Sequence, residues 1–518
     1  MKLKLRIAIV AVVLGTFFIL QHAHHKKKAT RPAAQATMPV RVVAEPRVWQ
    51  RGNLTFRPCN LTRSGTGKRV AAWCAPFTVP ENRADPSGRA IHLKLAMVRS
   101  DAAVPDPDIV VLLAGGPGQA ATRAYVDMAP YFEGLRKHHD ILLLDQRGTG
   151  GSHALTCPKV QKQIEAQKTK ASPNLDVLRE NVKKCLAEIE TKADPRFYTT
   201  TDAEADLEAV RQALGKPAFD LIGVSYGTRM AQEYAMHYPA SVRSIVLDSA
   251  VPNTAVLGQH VAVHLQQALR KDFALCTADA ACSKRFGDPM QTLMNLKAKL
   301  ATDPHEVSIR DPRTYKLVQH KFDDDSLASV VRLFAYTSPT IALLPLSIHA
   351  AANGDPGPLL GQQSIISGQL DHDIDLGMSL SVTCSEDADL IKDRPQDKDT
   401  LLGDRFIREL KAQCAIWPHG KRPADFHQPF TGDIPTLVLS GELDPITPPD
   451  WGKQIVAHLT DARQLVLKGQ GHGEIQVGCT PRIVRRFIDK LDPKTLDASC
   501  LKRLGPTPMY LNYNGAKP

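Results

Sequence analysis

Long apolar runs are scarce in this 518-residue chain. Only Ile7–Leu20 is apolar over 14 residues, short of the roughly 20 that a spanning helix needs, so a polytopic membrane protein is excluded. No CxxC pair occurs among the ten cysteines, which argues against a zinc ribbon or a thioredoxin-type site. Heptad runs, a collagen period and internal repeats are also missing. So is a one-signed body. The formal net charge is +11, but Lys2, Lys4, Arg6, Lys26, Lys27, Lys28 and Arg31 supply most of it, with no acid among residues 1–31. The remainder has no basic stripe, so nucleic-acid binding has no support. What is present is an ordinary globular composition, 43% hydrophobic and 23% charged. At roughly 100–200 residues per domain, the length predicts two to four folded units, or one large domain with an insertion.

The basic residues ahead of Ile7–Leu20 give a charged n-region before an apolar h-region, the pattern of a secretory signal. Ala23 and the Ala33-Ala34-Gln35-Ala36 segment are the nearest cleavage candidates. Lys26–Lys28 leave an uncleaved membrane anchor as the alternative. Residues 22–46 are rich in His, Lys, Ala and Pro and read as a tether, so residues 1–46 are assigned to leader and linker. Export to the periplasm or the medium would place the cysteines in an oxidising compartment, where structural disulfides form. Pairing of neighbours (59–74, 157–185, 276–282, 384–414, 479–500) is the simplest arrangement, because each loop is short.

Beyond the tether, Ala90–Arg99 alternates apolar and polar residues as a half-buried strand does. Ile109–Ala114, Ile141–Leu144, Phe219–Val224 and Ser244–Leu247 are short apolar runs, as expected of parallel strands covered on both faces. Helical spacing over Ala203–Leu214 and Arg229–Tyr238 falls between them. This alternation predicts an α/β fold with a doubly wound, mostly parallel sheet. Residues 253–430 change to mainly helical periodicity. Strand-like runs return at Thr436–Leu439 and Gln464–Leu467. The chain therefore divides into a first core part (47–252), a large helical insertion (253–430) and a second core part with a C-terminal tail (431–518).

Gly223-Val-Ser225-Tyr-Gly227 matches G-x-S-x-G between a predicted strand and a predicted helix, the setting of a nucleophile elbow. A serine hydroxyl needs a base, and the base needs an orienting carboxylate. In chain order Ser, acid, His, two later strand ends supply them: Asp444 after the run LVLS, and His472 after QLVLK. Glu442, two residues before Asp444, is the competing acid. Two N–H donors must face the developing oxyanion. Tyr226, directly after the nucleophile, offers one. The glycine loop after IVVLLA offers the other, through Gly116 with Gly115 as the alternative.

Taken in order, Gly115-Gly-Pro-Gly-Gln119, Asp145-Gln-Arg-Gly-Thr-Gly150, Gly223-Val-Ser-Tyr-Gly-Thr228, Gly441-Glu-Leu-Asp-Pro445 and Gly471-His-Gly473 resemble the proline iminopeptidase and tripeptidyl aminopeptidase family of α/β-hydrolases, particularly its secreted bacterial members with a TAP-like C-terminal region. Ala114 departs from the histidine usual before Gly-Gly-Pro-Gly in proline iminopeptidases. The resemblance implies hydrolysis of peptides from a free amino end, with the helical insertion as a lid. It implies no cofactor and no metal.

Such an enzyme must hold an ammonium group in a covered pocket, which requires a fixed carboxylate. Cys384-Ser-Glu386-Asp387 looks like the Cys-x-Glu-Asp segment of the secreted relatives, making Glu386 the first candidate and Asp387 the second. A solvated acidic loop is the competing reading. Asp371-His-Asp373 with Asp375 reads as a polar surface turn, and Arg147 as a residue that ties loops together by ion pairs. The alternatives for the whole chain are a carboxylic-ester hydrolase with the same triad and a catalytically silent binding protein on this fold.

Overall fold

The computed structural model describes residues 48–63, 66–167, 174–312 and 314–515. The expected signal, anchor and tether of residues 1–46 lie outside them. No helix among the described residues is long and apolar enough to cross a membrane.

Ten strands form one sheet: β1 (Trp49–Arg51), β2 (Leu54–Thr62), β3 (Arg69–Pro80), β4 (Ala90–Val98), β5 (Ile109–Leu113), β6 (Asp140–Leu144), β7 (Phe219–Val224), β8 (Val242–Asp248), β11 (Thr436–Gly441) and β12 (Ala462–Leu467). β9 (His305–Arg310) and β10 (Leu317–Phe322) form a separate antiparallel ribbon. The order across the sheet is β1-β2-β3-β4-β6-β5-β7-β8-β11-β12. The first four strands form antiparallel pairs, and β4 meets β6 antiparallel. From β6 to β12 every pair is parallel. This is the mostly parallel α/β sheet that the apolar runs predicted.

Side chains alternate across a strand, so each buried run must feed two cores. Ile109, Val111 and Leu113 pack on one face with Leu221, Leu247 and Val438. Val110 and Leu112 pack on the other with Ile222, Val246 and Leu439. The helices Thr200–Ala213 and Tyr226–His237 cover the first face, and Ala121–Arg136 and Thr480–Lys490 cover the second. Between β8 and β11 the chain is helical apart from the ribbon, and part of it closes a third core around Leu265, Phe273, Leu296, Phe322, Val331 and Leu360.

All five expected disulfides form: Cys59–Cys74, Cys157–Cys185, Cys276–Cys282, Cys384–Cys414 and Cys479–Cys500. Arg147 is fully buried. Its Nε and Nη2 donate to the two carboxylate oxygens of Asp206, both at 2.7 Å, and Nη1 donates to the carbonyls of Glu81 and Phe197. The Asp373–Asp375 region is not the surface turn expected. Asp375 is buried because it accepts from the Gly150 N–H (2.8 Å) and pairs with Arg123, while Asp373 pairs with Arg63.

Candidate active site

β7 runs into the helix Tyr226–His237 through Ser225, whose backbone is left-handed at φ 55° and ψ −122°. A non-glycine residue there stores about 1–3 kcal/mol of strain, which its surroundings must offset. The Ser225 N–H donates to the Asp248 carbonyl (2.9 Å), and the Ser225 carbonyl accepts from the N–H and hydroxyl of Thr228 (2.9 and 2.6 Å). Gly227 allows the helix to press against the end of β5, since a Cβ there would stand 2.1 Å from the Leu113 carbonyl oxygen.

Asp444 and His472 lie on the loops that leave β11 and β12. The imidazole Nδ1 donates to Asp444 Oδ2 at 2.8 Å. The carboxylate accepts three further bonds: Thr447 Oγ1 on Oδ2 (2.7 Å), and the N–H groups of Ile446 and Thr447 on Oδ1 (2.8 and 2.9 Å). Burial by itself would lower the imidazole pKa. The charge and hydrogen bond of Asp444, together with the charge of Asp248, outweigh it, so the net shift is upward. Glu442 accepts instead from the Gly469 N–H and does not bond the histidine. Among the described residues neither Ser225 Oγ nor His472 Nε2 has a hydrogen-bond partner; such contacts often tighten only when substrate is bound.

One dipeptide holds both loops. Asp248, at the end of β8, takes the Ser225 N–H on its carbonyl. Its carboxylate takes the N–H groups of Glu474 and Ile475 (2.7 and 2.9 Å), and Ser249 Oγ takes that of Gly473 (2.8 Å). The three residues following His472 are thus tied to the strand beside the nucleophile strand. Burial pushes Asp248 up to about 6, and pushes the unpartnered carboxyl of Glu474 up to about 10. The helical region between β8 and β11 reaches the same loops. Tyr336 accepts the His472 N–H on its carbonyl (2.7 Å) and sets its ring edge-on to the imidazole, and His264 bonds the Ile446 carbonyl.

Gly115 is buried against Ser225: a Cβ on it would lie 3.2 Å from the serine Cβ. Gly116 is exposed, one residue further along the loop. Tyr226 begins its helix, so its N–H has no partner within the helix. The Tyr226 hydroxyl receives a hydrogen bond from Gln146 (3.1 Å) and shares one with Thr200 Oγ1 (2.7 Å). Glu386 then accepts from both the N–H and the hydroxyl of Thr200 (2.6 and 2.9 Å). Asp387 pairs with Arg229 (2.8 Å) and accepts from the Leu257 N–H (3.1 Å). Both acids are buried, not carried on a solvated loop, and Glu386 is pushed by burial up to about 8. The sequence candidates therefore separate into Ser225, Gly115, Tyr226, Asp444 and His472 at the strand ends, and an interior pair whose oxygens already have partners.

Sequence reasoning missed Asp248, Ser249 and Thr447. Asp248 ends the run IVLD, one strand over from the nucleophile strand, and that position was its only signal. Thr447 stands three residues after Asp444, the spacing at which a carboxylate caps a turn.

Residues 108–282 match the family described as alpha/beta hydrolase fold, and residues 399–500 match the one described as TAP-like protein. The serine protease Hip1 of Mycobacterium tuberculosis is 25% identical over 492 residues, covering 86% of this chain and 90% of that protein. The tripeptidyl aminopeptidase of Streptomyces lividans is 27% identical over 430 residues, 77% of this chain and 78% of its own length. Its counterpart from Streptomyces coelicolor is also 27% identical over 430 residues, covering 77% of each chain.

Proposed function

The chain belongs to the α/β-hydrolases with a TAP-like C-terminal region, and on that premise we propose that it is an exported serine aminopeptidase acting on peptides with a free amino terminus. The observation that carries the proposal is the 2.8 Å bond from His472 Nδ1 to Asp444, on a loop tied to the same dipeptide as the strained Ser225 turn. Ser225 attacks the scissile carbonyl. His472 takes its proton and returns it to the leaving amine, while Asp444 holds the imidazole by Nδ1 and stabilises its charged form. The N–H groups of Tyr226 and of Gly115 or Gly116 receive the oxyanion. Water then hydrolyses the acyl-enzyme. The helices between β8 and β11 act as the lid, and the five disulfides support the export reading.

Turnover of aminoacyl and tripeptidyl arylamides, set beside p-nitrophenyl esters, tests the reaction class. Ester turnover without any arylamide cleavage would make the protein a carboxylic-ester hydrolase instead.

In this reading the substrate ammonium belongs to Glu386 and Asp387. Thr200 and Arg229 already hold these carboxyls, so Glu386 must exchange Thr200 for the incoming cation. Charge-assisted hydrogen bonds are worth about 1.5–3 kcal/mol. Glu386→Gln is therefore expected to lower kcat/KM for free-amino substrates about tenfold or more and to spare amino-blocked esters. Equal losses on both would instead place Glu386 in the support of the elbow, through Thr200 and Tyr226.

The upward shift of His472 sets the pH profile, because a protonated imidazole cannot accept the serine proton. kcat/KM should rise with pH along an acid limb whose midpoint lies above the ordinary value of 6.5. A midpoint below 6.5 would count against His472 as the base.

A further inference from the structure

The helices Thr200–Ala213 and Tyr226–His237 face each other below the elbow and bring together Glu204, Glu233 and His237. Glu233 and His237 are four residues apart and share one helix face. One ligand atom from each of the three residues lies within 4.8 Å of the others. Glu204 and Glu233 are each only 1% exposed, whereas the His237 side chain, 27% exposed, reaches towards solvent.

The hydrogen bonding of the cluster is incomplete. His237 Nδ1 lies 2.6 Å from Glu204 Oε2, but Glu204 Oε1 and both carboxyl oxygens of Glu233 are buried with no hydrogen-bond partner. A buried carboxyl without a donor is costly. A proton on Glu233 is an incomplete remedy, because the O–H would itself need an acceptor and none bonds it. Arg229, one turn earlier on the helix, is committed to Asp387 and to the Ala255 carbonyl. A cation supplied from outside would answer both unmet carboxyls at once.

We propose that Glu204, Glu233 and His237 form a binding site for a divalent transition-metal ion, zinc fitting the donor set best. One imidazole nitrogen and two carboxylates are three of the four ligands of a tetrahedral zinc. Asp425 faces the other ring nitrogen, its Oδ2 3.8 Å from His237 Nε2, and so orients the imidazole rather than binding the ion; the fourth position is left to solvent. The ion takes no part in acyl transfer. It fastens the helix that begins at the nucleophile turn to its neighbour.

The test uses the full chain without an affinity tag, stripped by a chelator and then equilibrated with buffered zinc. Bound metal is counted by mass spectrometry, and thermal unfolding is followed with and without zinc. The wild type should retain one zinc per chain more than Glu233→Gln, and zinc should raise its Tm but not that of the variant. Affinity should fall by more than about tenfold, the least that losing even an outer-shell partner costs. Gln reproduces the shape of a neutral glutamate. His237→Gln, at the solvent side, supplies a second arm should Glu233→Gln fail to fold. Equal zinc content and equal Tm shifts in the wild type and a folded variant would overturn the proposal, and would assign any bound zinc to other groups such as His22, His24 and His25.

Discussion

Ser225→Ala is expected to lower kcat by about 10³-fold or more while leaving the protein folded. The turn is held by backbone bonds, from Ser225 N–H to Asp248 and from Thr228 to the Ser225 carbonyl. None of these needs the hydroxyl, so alanine inherits the same strained geometry. His472→Ala should cost a similar factor. The double variant should cost little more than either single one, because nucleophile and base act as one unit. Steady-state kinetics with an arylamide, together with fluorophosphonate labelling, provide the check. A wild type that resists the label would favour a silent binding protein. A Ser225→Ala variant labelled like the wild type would move the nucleophile elsewhere.

Asp444→Asn should be nearly as damaging at neutral pH, by about 10⁴-fold if the tautomer is what fails. All four hydrogen bonds to the carboxylate come from donors. An asparagine must turn its NH2 group towards one pair of them. The pair on Oδ1 consists of backbone N–H groups, which cannot reverse. The pair on Oδ2 consists of a hydroxyl and an imidazole, which can. The NH2 group therefore goes to the Oδ2 side, Nδ1 of His472 becomes the acceptor, and the proton moves to Nε2. That nitrogen can then no longer accept from Ser225. Thr447→Ala removes one donor and keeps the tautomer, so its loss should be far smaller. Comparable losses in the two variants would mean that carboxylate position, rather than tautomer, sets the rate.

The parts of the fold that were legible are those where one physical demand dominates. Strands β5 to β8 are largely buried on both faces and so are mostly apolar, Asp140, Asp220, Arg243, Ser244 and Asp248 apart, which a single sequence displays. β2 and β3 were not read, because Arg57, Pro58 and Asn60 interrupt the one and Pro76 the other, and their order comes from pairing with β4 and from Cys59–Cys74. At the site, the strand-end positions of Ser225, Asp444 and His472 could be read because local turn chemistry marks each. The Asp248–Ser249 anchor could not, since it works on backbone N–H groups more than 220 residues away. For the same reason Glu386 and Asp387 were recognised as acids, but Thr200 and Arg229, their partners 186 and 158 residues distant, were not.

The five disulfides never reach far along the chain: their partners are 6 to 30 residues apart, and each bridge closes before the next cysteine pair begins. A polypeptide emerging amino end first can therefore oxidise its cysteines in the order of synthesis, without shuffling. No bridge crosses from the helical region between β8 and β11 to the sheet. Met378, Leu380 and Trp417 of that region pack into the same core as β5 to β8, and Glu386 and Asp387 bond to Thr200 and Arg229, so its hold on the sheet is non-covalent throughout, and a reducing agent would loosen its interior rather than detach it.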